Sequence, residues 1–207
     1  PKLPQRGLIV DLCAGNGAVG LFASTRTKAK ILAVEIQERL ADMAERSIEL
    51  NDLTQQMQVI QDDLKNLGRY ITGSKVDMIL CNPPYFKVDK QSNLNETHHS
   101  LLARHEISTN LEEICKIAQR VLKSNGRLAM VHRPERFLDI LDTMQAHNLA
   151  PKRIQFVYPK LGKEANMLLI EAIKDGSRDG LKILPPLFIH NQDGSYTPEI
   201  HEIYYGK

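Results

Sequence analysis

The sequence predicts an α/β fold: one central, mostly parallel sheet of seven strands with helices on both faces. Short apolar runs typical of buried strands alternate with segments whose apolar residues recur at helical spacing, the pattern of crossover units in parallel sheets. A glycine-rich turn follows the first run, as in folds that bind nucleotides. The last two runs have no helix between them, so strand seven is expected to lie antiparallel to its neighbours.

Composition sets the class of protein. The chain has 207 residues, 42% of them hydrophobic and 25% charged, which suits one globular domain with a sizeable core. We expect that domain over 1–175 and a C-terminal extension over 176–207. No apolar run approaches the roughly 18–20 residues that a bilayer requires. The chain starts at Pro1 without a methionine, so we expect the domain to be truncated at its N-terminus.

Cysteine usage and charge bear on compartment and partners. Three widely spaced cysteines do not form a disulfide framework and indicate a reducing compartment, so we expect a cytoplasmic protein. The net charge of +2 does not by itself indicate a nucleic-acid binder. Basic residues do concentrate over 116–136 and 152–163. Such stretches are either solvated helix faces or a surface that follows phosphates.

The first two strands frame a candidate nucleoside site. Residues 8–12 form an apolar strand, and the turn after it carries glycines at 15, 17 and 20 in the pattern G-x-G-x-x-G. Small residues there let a ligand approach the backbone closely. The second strand, 30–35, ends in Glu35, 20 residues after Gly15, the position from which a carboxylate reaches ribose hydroxyls.

The third strand, 57–60, is followed by two adjacent acids, Asp62 and Asp63, and preceded by a helix over 37–53. These acids have two interpretations. One is a helix N-cap with a first-turn charge for the segment 64–70. The other is an acceptor for the amino group of an adenine, and one aspartate can serve each purpose.

The fourth strand, 76–80, leads into the turn Cys81-Asn82-Pro83-Pro84-Tyr85-Phe86. Two prolines forbid a helix or a continued strand, so the turn is rigid and presents an amide and bare carbonyls to the ligand crevice. Taken alone, the stretch could be a simple strand terminator. The polar loop over 87–104 is long enough to suggest a binding element. Its histidines give poor evidence for a metal site, because no Cys or carboxylate stands at ligand spacing, and we expect no metal.

The second half completes the sheet. A capping box at 109–112 begins a helix that we expect to end at Asn125-Gly126. Strand five follows at 127–132, a helix with proline in its first turn at 134–147, and strands six and seven at 153–158 and 167–173. Beyond residue 180 we expect a small hairpin or an extended arm, with its turn at 191–194.

This set of features resembles the class I methyltransferases that depend on S-adenosylmethionine, whose fold is Rossmann-like. The resemblance covers Gly7 to about Lys174, and its most specific element is the Asn-Pro-Pro-Tyr turn. It implies that Asp11, Gly15 and Gly17 line the methionine half of the cofactor, with Cys13 and Asn82 as further contacts. It also implies that Glu35 holds the ribose and that Asp63, or failing that Asp62, binds the adenine amino group.

The Asn82 turn has a chemical rationale of its own. The lone pair of an exocyclic amino nitrogen is delocalised into its ring, which makes the nitrogen a poor nucleophile. If the Asn82 side-chain oxygen and the Pro83 carbonyl accept its two N–H bonds, the nitrogen becomes more tetrahedral and can attack a sulfonium methyl in line. Tyr85, with Phe86 and Pro84, would contact the planar substrate. A base in a duplex would first have to be flipped out.

Three further stretches resemble one bacterial branch, which methylates N6 of adenosine-37 in a valine tRNA. They are Arg104-His105-Glu106, the segment from His132 to Arg136, and the ending from Pro185 to Tyr196. The resemblance implies that Arg104, Arg133 and Arg136 contact the RNA. The alternatives are a protein glutamine-N5 methyltransferase, a nucleotide-dependent oxidoreductase and a non-catalytic RNA-binding module. Oligomeric state is left open.

Overall fold

The computed structural model describes residues 1–83 and 111–206, and within them all the strands form one sheet. The first four strands are β1 (Leu8–Leu12), β2 (Lys30–Glu35), β3 (Met57–Gln61) and β4 (Val76–Cys81). The next three are β5 (Leu122–His132), β6 (Leu149–Lys160) and β7 (Met167–Lys174). Two short ones, β8 (Lys182–Ile183) and β9 (Leu187–His190), complete the set.

The strand order is β3-β2-β1-β4-β5-β7-β6, with β8 and β9 both pairing with β6. β1 to β5 are mutually parallel, whereas β7 is antiparallel to both β5 and β6. The predicted seven-stranded sheet with an antiparallel strand seven is therefore confirmed. The described sheet extends to nine strands because the C-terminal residues add to the β6 edge, which would otherwise expose unpaired backbone groups.

Five α-helices lie in the described residues: α1 (Ala18–Ser24), α2 (Glu38–Leu50), α3 (Leu111–Val121), α4 (Phe137–Ala146) and α5 (Pro198–Tyr205). A 3₁₀ helix spans Leu64–Arg69. Successive strand residues face opposite sides, so Ile9 packs in the core with α1 and α2 while Val10 packs in the core with α3, α4 and the 3₁₀ helix. Helices on both faces are thus confirmed.

Three local features differ from the sequence expectations. The helix expected to end at Asn125-Gly126 ends at Val121, and Asn125, in a left-handed conformation, lies where the β4–β5 register shifts. In the extension, β9 pairs parallel with β6, while His190 forms an isolated antiparallel bridge to Tyr196 across the turn. The terminal helix α5 had no counterpart among the expected elements. Thr109 and Asn110, the first two residues of the capping box expected at 109–112, lie outside the described residues.

Candidate active site

The carboxyl ends of the parallel strands bring the chemistry-bearing residues together. In the sheet register Leu12 is paired with Val34 and with Cys81, and Glu35 is paired with Gln61. The residues directly after these strands therefore meet at one edge, where open α/β sheets bind ligands. A cavity of about 200 Å³ lies there. Its lining includes six of the residues expected to hold a cofactor: Cys13, Gly15, Glu35, Asp62, Asp63 and Asn82.

Glu35 connects Gly15 and Gln37, two other residues that line the cavity. Its side chain is buried, and its Oε2 accepts a hydrogen bond from the Gly15 N–H at 2.7 Å. Its Oε1 accepts one from the Gln37 N–H at 2.9 Å. Each carboxylate oxygen has two lone pairs, so both oxygens retain capacity for hydroxyl donors. The geometry suits the ribose role expected for Glu35.

Gly15 opens the cavity to a ligand. Its φ is +58°, a left-handed conformation that glycine adopts without a steric penalty. A Cβ built on it would meet no heavy atom within 4 Å. Since Gly15 lines the cavity, that space belongs to the cavity itself. A ligand can therefore lie directly against the backbone here.

Asp11 and Gly17 are not among the residues that line this cavity. Asp11 is 1% exposed; its Oδ2 accepts a hydrogen bond from the Gly20 N–H at 2.9 Å, and its Oδ1 has no hydrogen-bond partner in the described part of the chain. Burial raises the pKa of Asp11 to about 7, the Gly20 contact opposes the rise, and the Glu35 charge adds to it. Asp11 thus anchors the start of α1, and its contact with a cofactor stays a prediction.

Asp62 and Asp63 are held by different contacts. Asp63 is the N-cap of the 3₁₀ helix, where its Oδ1 accepts from the Lys65 N–H at 2.9 Å. Asp62 accepts from Asn66 and Tyr70. These two contacts, Asn66 first, hold the pKa of Asp62 below its usual range. Asn66 and Tyr70 were not expected as part of the site, since neither follows a strand.

Asn82 lies at the end of β4, with an exposed side chain, and Pro83 beyond it is buried. The preceding Cys81 is buried against Cys13, and the hydrogen bond to Cys13, together with burial, raises the pKa of the Cys81 thiol. Asn82 therefore follows an anchored strand end and lines the cavity. The other expected turn and loop residues lie outside the described residues: Pro84, Tyr85, Phe86 and Arg104.

Arg133 and Arg136 follow β5 at the same edge but are not among the cavity's lining residues. The Arg133 Nη1 donates to the Asn166 carbonyl at 3.2 Å. The Arg136 Nε donates to Asp139 Oδ2 at 2.5 Å. Their contact with RNA stays a prediction.

Five other residues that line the cavity were not predicted from the sequence: Val34, Ile36, Gln37, Leu40 and Leu64. Ile36 gave one usable signal in the sequence, because it is an apolar residue directly after a strand-terminal glutamate; in the structure it is 47% exposed. Among residues 1–83 and 111–206, no cluster of three or more His, Cys, Asp or Glu side chains is arranged to hold a metal ion. None of the helices described is long and apolar enough to cross a membrane.

Comparison with known proteins gives a family and a set of relatives. The family described as "Conserved hypothetical protein 95" matches residues 3–135. A Porphyromonas gingivalis protein named tRNA1(Val) (adenine(37)-N6)-methyltransferase is 27% identical over 202 residues, covering 96% of this chain and 77% of that protein. A Shewanella protein of the same name is 26% identical, covering 91% and 79%.

Solved structures confirm the fold. A "predicted O-methyltransferase" from Agrobacterium tumefaciens superposes with a TM-score of 0.76 at 24% identity, covering 97% of this chain and 89% of that one. A TehB-like S-adenosylmethionine-dependent methyltransferase from Corynebacterium glutamicum superposes with a TM-score of 0.55 at 17% identity, covering 83% and 82%. The fold is therefore that of the class I methyltransferases, as predicted.

Proposed function

Because the chain belongs to the family described as "Conserved hypothetical protein 95", we propose a function consistent with its relatives and its cavity. In this proposal the protein is an S-adenosylmethionine-dependent methyltransferase that acts on N6 of an adenine in tRNA, at the position next to the anticodon. The relatives that match most of the chain carry the corresponding name. The observation that carries the proposal is the position of Asn82, at the end of β4 and on the rim of a cavity that Glu35 and Gly15 also line.

The cavity residues fit the cofactor. Gly15 leaves room for a ligand against the backbone, and Glu35 retains acceptor capacity for the ribose hydroxyls. Asp62 and Asp63 lie beside them as acceptors for the adenine amino group. Cys13 and Asn82 are close to the reacting end, with Asp11 and Gly17 supporting the turn. When bound, S-adenosylmethionine supplies an electrophilic methyl group on a sulfonium.

Asn82 and Pro83 prepare the acceptor nitrogen. The Asn82 side-chain oxygen accepts one N–H of the amino group, and the Pro83 carbonyl accepts the other. Because proline has a fixed φ, and Pro84 restricts the ψ of Pro83, the direction of that carbonyl is set before the substrate arrives. Preorganised acceptors of this kind cost no reorganisation during reaction, so positioning supplies the rate enhancement. Tyr85, Phe86 and Pro84 would contact the base, and Arg104, Arg133 and Arg136 the RNA backbone.

The same proposal divides the chain into a methyltransferase domain over 1–175 and an extension over 176–207. It also keeps the expected cytoplasmic location. A protein glutamine-N5 methyltransferase would use the same acceptors on an amide nitrogen, but no observation favours it.

Nucleoside mass spectrometry tests the proposal. The full-length protein is incubated with methyl-labelled S-adenosylmethionine and unmodified tRNA, or with a bacterial release factor as the competing substrate. We expect labelled N6-methyladenosine in the digested tRNA and no label in the release factor. Label in the release factor alone would establish the glutamine alternative and refute the RNA substrate.

A further inference from the structure

Three donors surround the carboxylate of Asp62 at the edge of the cavity. Oδ1 accepts from the Asp63 N–H at 2.7 Å and from the Asn66 side-chain amide at 2.8 Å. Oδ2 accepts from the Tyr70 hydroxyl at 2.9 Å. Asn66 and Tyr70 lie four and eight residues beyond Asp62, on and directly after the 3₁₀ helix. The turn of the 3₁₀ helix therefore brings the side chains of Asn66 and Tyr70 back into contact with Asp62, the residue before the helix cap Asp63.

These contacts leave Asp62 with one direction in which to accept. A carboxylate has about four lone-pair sites, two on each oxygen. Both sites on Oδ1 are used by N–H donors, and one site on Oδ2 is used by Tyr70. The remaining site is on Oδ2, and Asp62 lines the cavity. Rotation of the carboxylate would break three hydrogen bonds, so its orientation is set.

Asp63 is held differently. One of its oxygens accepts from the Lys65 N–H and caps the 3₁₀ helix. Within the described residues no side chain donates a hydrogen bond to the Asp63 carboxylate, so only the backbone cap contact constrains it. Of the two acids, Asp62 is the one whose acceptor geometry is fixed before a ligand binds.

We propose that Asn66 and Tyr70 are positioning residues for cofactor recognition, which orient Asp62 so that its remaining Oδ2 lone pair accepts the amino group of the cofactor's adenine. This inference rests on the proposed function. It assigns the adenine contact to Asp62 and the orientation of Asp62 to Asn66 and Tyr70. It transfers the adenine contact from Asp63, which the resemblance had favoured, to Asp62. The same donors favour the anionic form of Asp62, which accepts more strongly than a neutral carboxyl.

Calorimetric titration with two ligands tests the proposal without requiring methyl transfer. S-adenosylhomocysteine carries the adenine amino group, and S-inosylhomocysteine replaces that donor with a carbonyl. In Tyr70→Phe and Asn66→Ala we expect the Kd for S-adenosylhomocysteine to rise about three- to tenfold. The Kd for the inosine analogue should stay unchanged. Tyr204→Phe, at another exposed tyrosine, serves as the matched control and should change neither Kd.

Kinetics and two aspartate variants complete the test. Tyr70→Phe should raise the KM for S-adenosylmethionine while kcat at saturating cofactor stays unchanged, because the proposed role of Tyr70 is in binding the cofactor and not at the reacting atoms. Asp62→Asn should reduce the preference for the adenine ligand over the inosine ligand, and Asp63→Asn should retain it.

Two results would overturn the positioning role while leaving the proposed function intact. One is an unchanged Kd for S-adenosylhomocysteine in both Tyr70→Phe and Asn66→Ala. The other is equal weakening of both ligands, which would indicate a purely structural effect. Failure of the wild-type protein to bind either ligand would instead refute the proposed function and this inference with it.

Discussion

At the scale of single residues, Asn82 and Glu35 illustrate two ways in which a side chain at a strand end serves a site. Glu35 is buried and bonded to two backbone N–H groups, so it shapes the cavity as well as lining it. Asn82 is exposed at the rim, on a strand end that the buried Cys81 anchors.

Replacement of Asn82 by alanine tests its catalytic role. We expect kcat for tRNA methylation to fall on the order of 10²–10³-fold, since one preorganised hydrogen-bond partner of the reacting atom is lost. Because Asn82 also lines the cofactor cavity, the Kd for S-adenosylhomocysteine should rise, but by a far smaller factor than kcat falls. Asn51→Ala, at an exposed helix C-cap, is the control and should leave kcat unchanged. Full activity of Asn82→Ala would contradict the mechanism.

The buried carboxyl of Asp11 makes stability depend on pH. Its folded-state pKa is about 7 and its unfolded value is near 3.8, so the folded chain holds the extra proton between about pH 4 and 7. The free energy of unfolding therefore falls as pH rises through this window, by at most about 1.4 kcal/mol per pH unit from this group. In Asp11→Asn that contribution disappears.

Urea unfolding at pH 5 and pH 8 measures the effect. The difference in unfolding free energy between the two pH values should be smaller in Asp11→Asn than in the wild type. Asp42→Asn, at an exposed helical position, should retain the wild-type difference. Equal differences in all three proteins would show that Asp11 does not titrate in this range.

At the scale of elements, the turn between β1 and α1 depends on close packing against α2. Gly17 is the N-cap of α1 with φ +81°, and a Cβ on it would lie 3.0 Å from the Ala44 Cβ. Gly73 has a similar φ of +73°, but a Cβ on it would meet nothing within 4 Å. Substitution of Gly73 therefore measures the destabilisation from the backbone conformation alone, and substitution of Gly17 adds the destabilisation from steric crowding.

Gly17→Ala and Gly73→Ala can be compared by chemical denaturation. Each should lose about 1–2 kcal/mol from placing an L-residue in a left-handed conformation. Gly17→Ala should lose more, and it alone should weaken binding of S-adenosylhomocysteine, because α2 must move relative to the turn. Equal losses of stability and unchanged binding in both variants would contradict this account.

At the scale of the whole molecule, residues 176–206 pack on the outer edge of the sheet through a small core of their own. Val157 from β6, Leu187 from β9 and Ile200 from α5 are all buried there. This cluster is separate from the two cores that enclose the parallel strands. We therefore expect the extension to open independently of the methyltransferase domain.

Ile200→Ala tests that independence. Loss of a buried isoleucine side chain costs about 2–5 kcal/mol at the site. Hydrogen exchange should increase across 187–206, while the parallel strands and the affinity for S-adenosylhomocysteine are unaffected. Ile203→Ala, at a 45% exposed position on the same helix, should leave exchange unchanged. Faster exchange throughout the sheet in Ile200→Ala would show that the chain unfolds as one unit.

The sequence by itself determined the features that depend on local pattern. Periodicity located the strands, the interval from Gly15 to Glu35 predicted that both would line one cavity, and the prolines after Asn82 marked a turn. Each of these signals lies within a short stretch, because backbone restrictions and side-chain alternation act locally.

Only the tertiary structure decided which residues distant in sequence come into contact. The addition of β8 and β9 to β6 depends on an unpaired sheet edge that no local pattern reveals. The different contacts of Asp62 and Asp63 depend on how the 3₁₀ helix turns, since that turn brings Asn66 and Tyr70 back to Asp62. Either aspartate could cap the helix when the sequence is considered alone, and only the tertiary structure shows that Asp63 does.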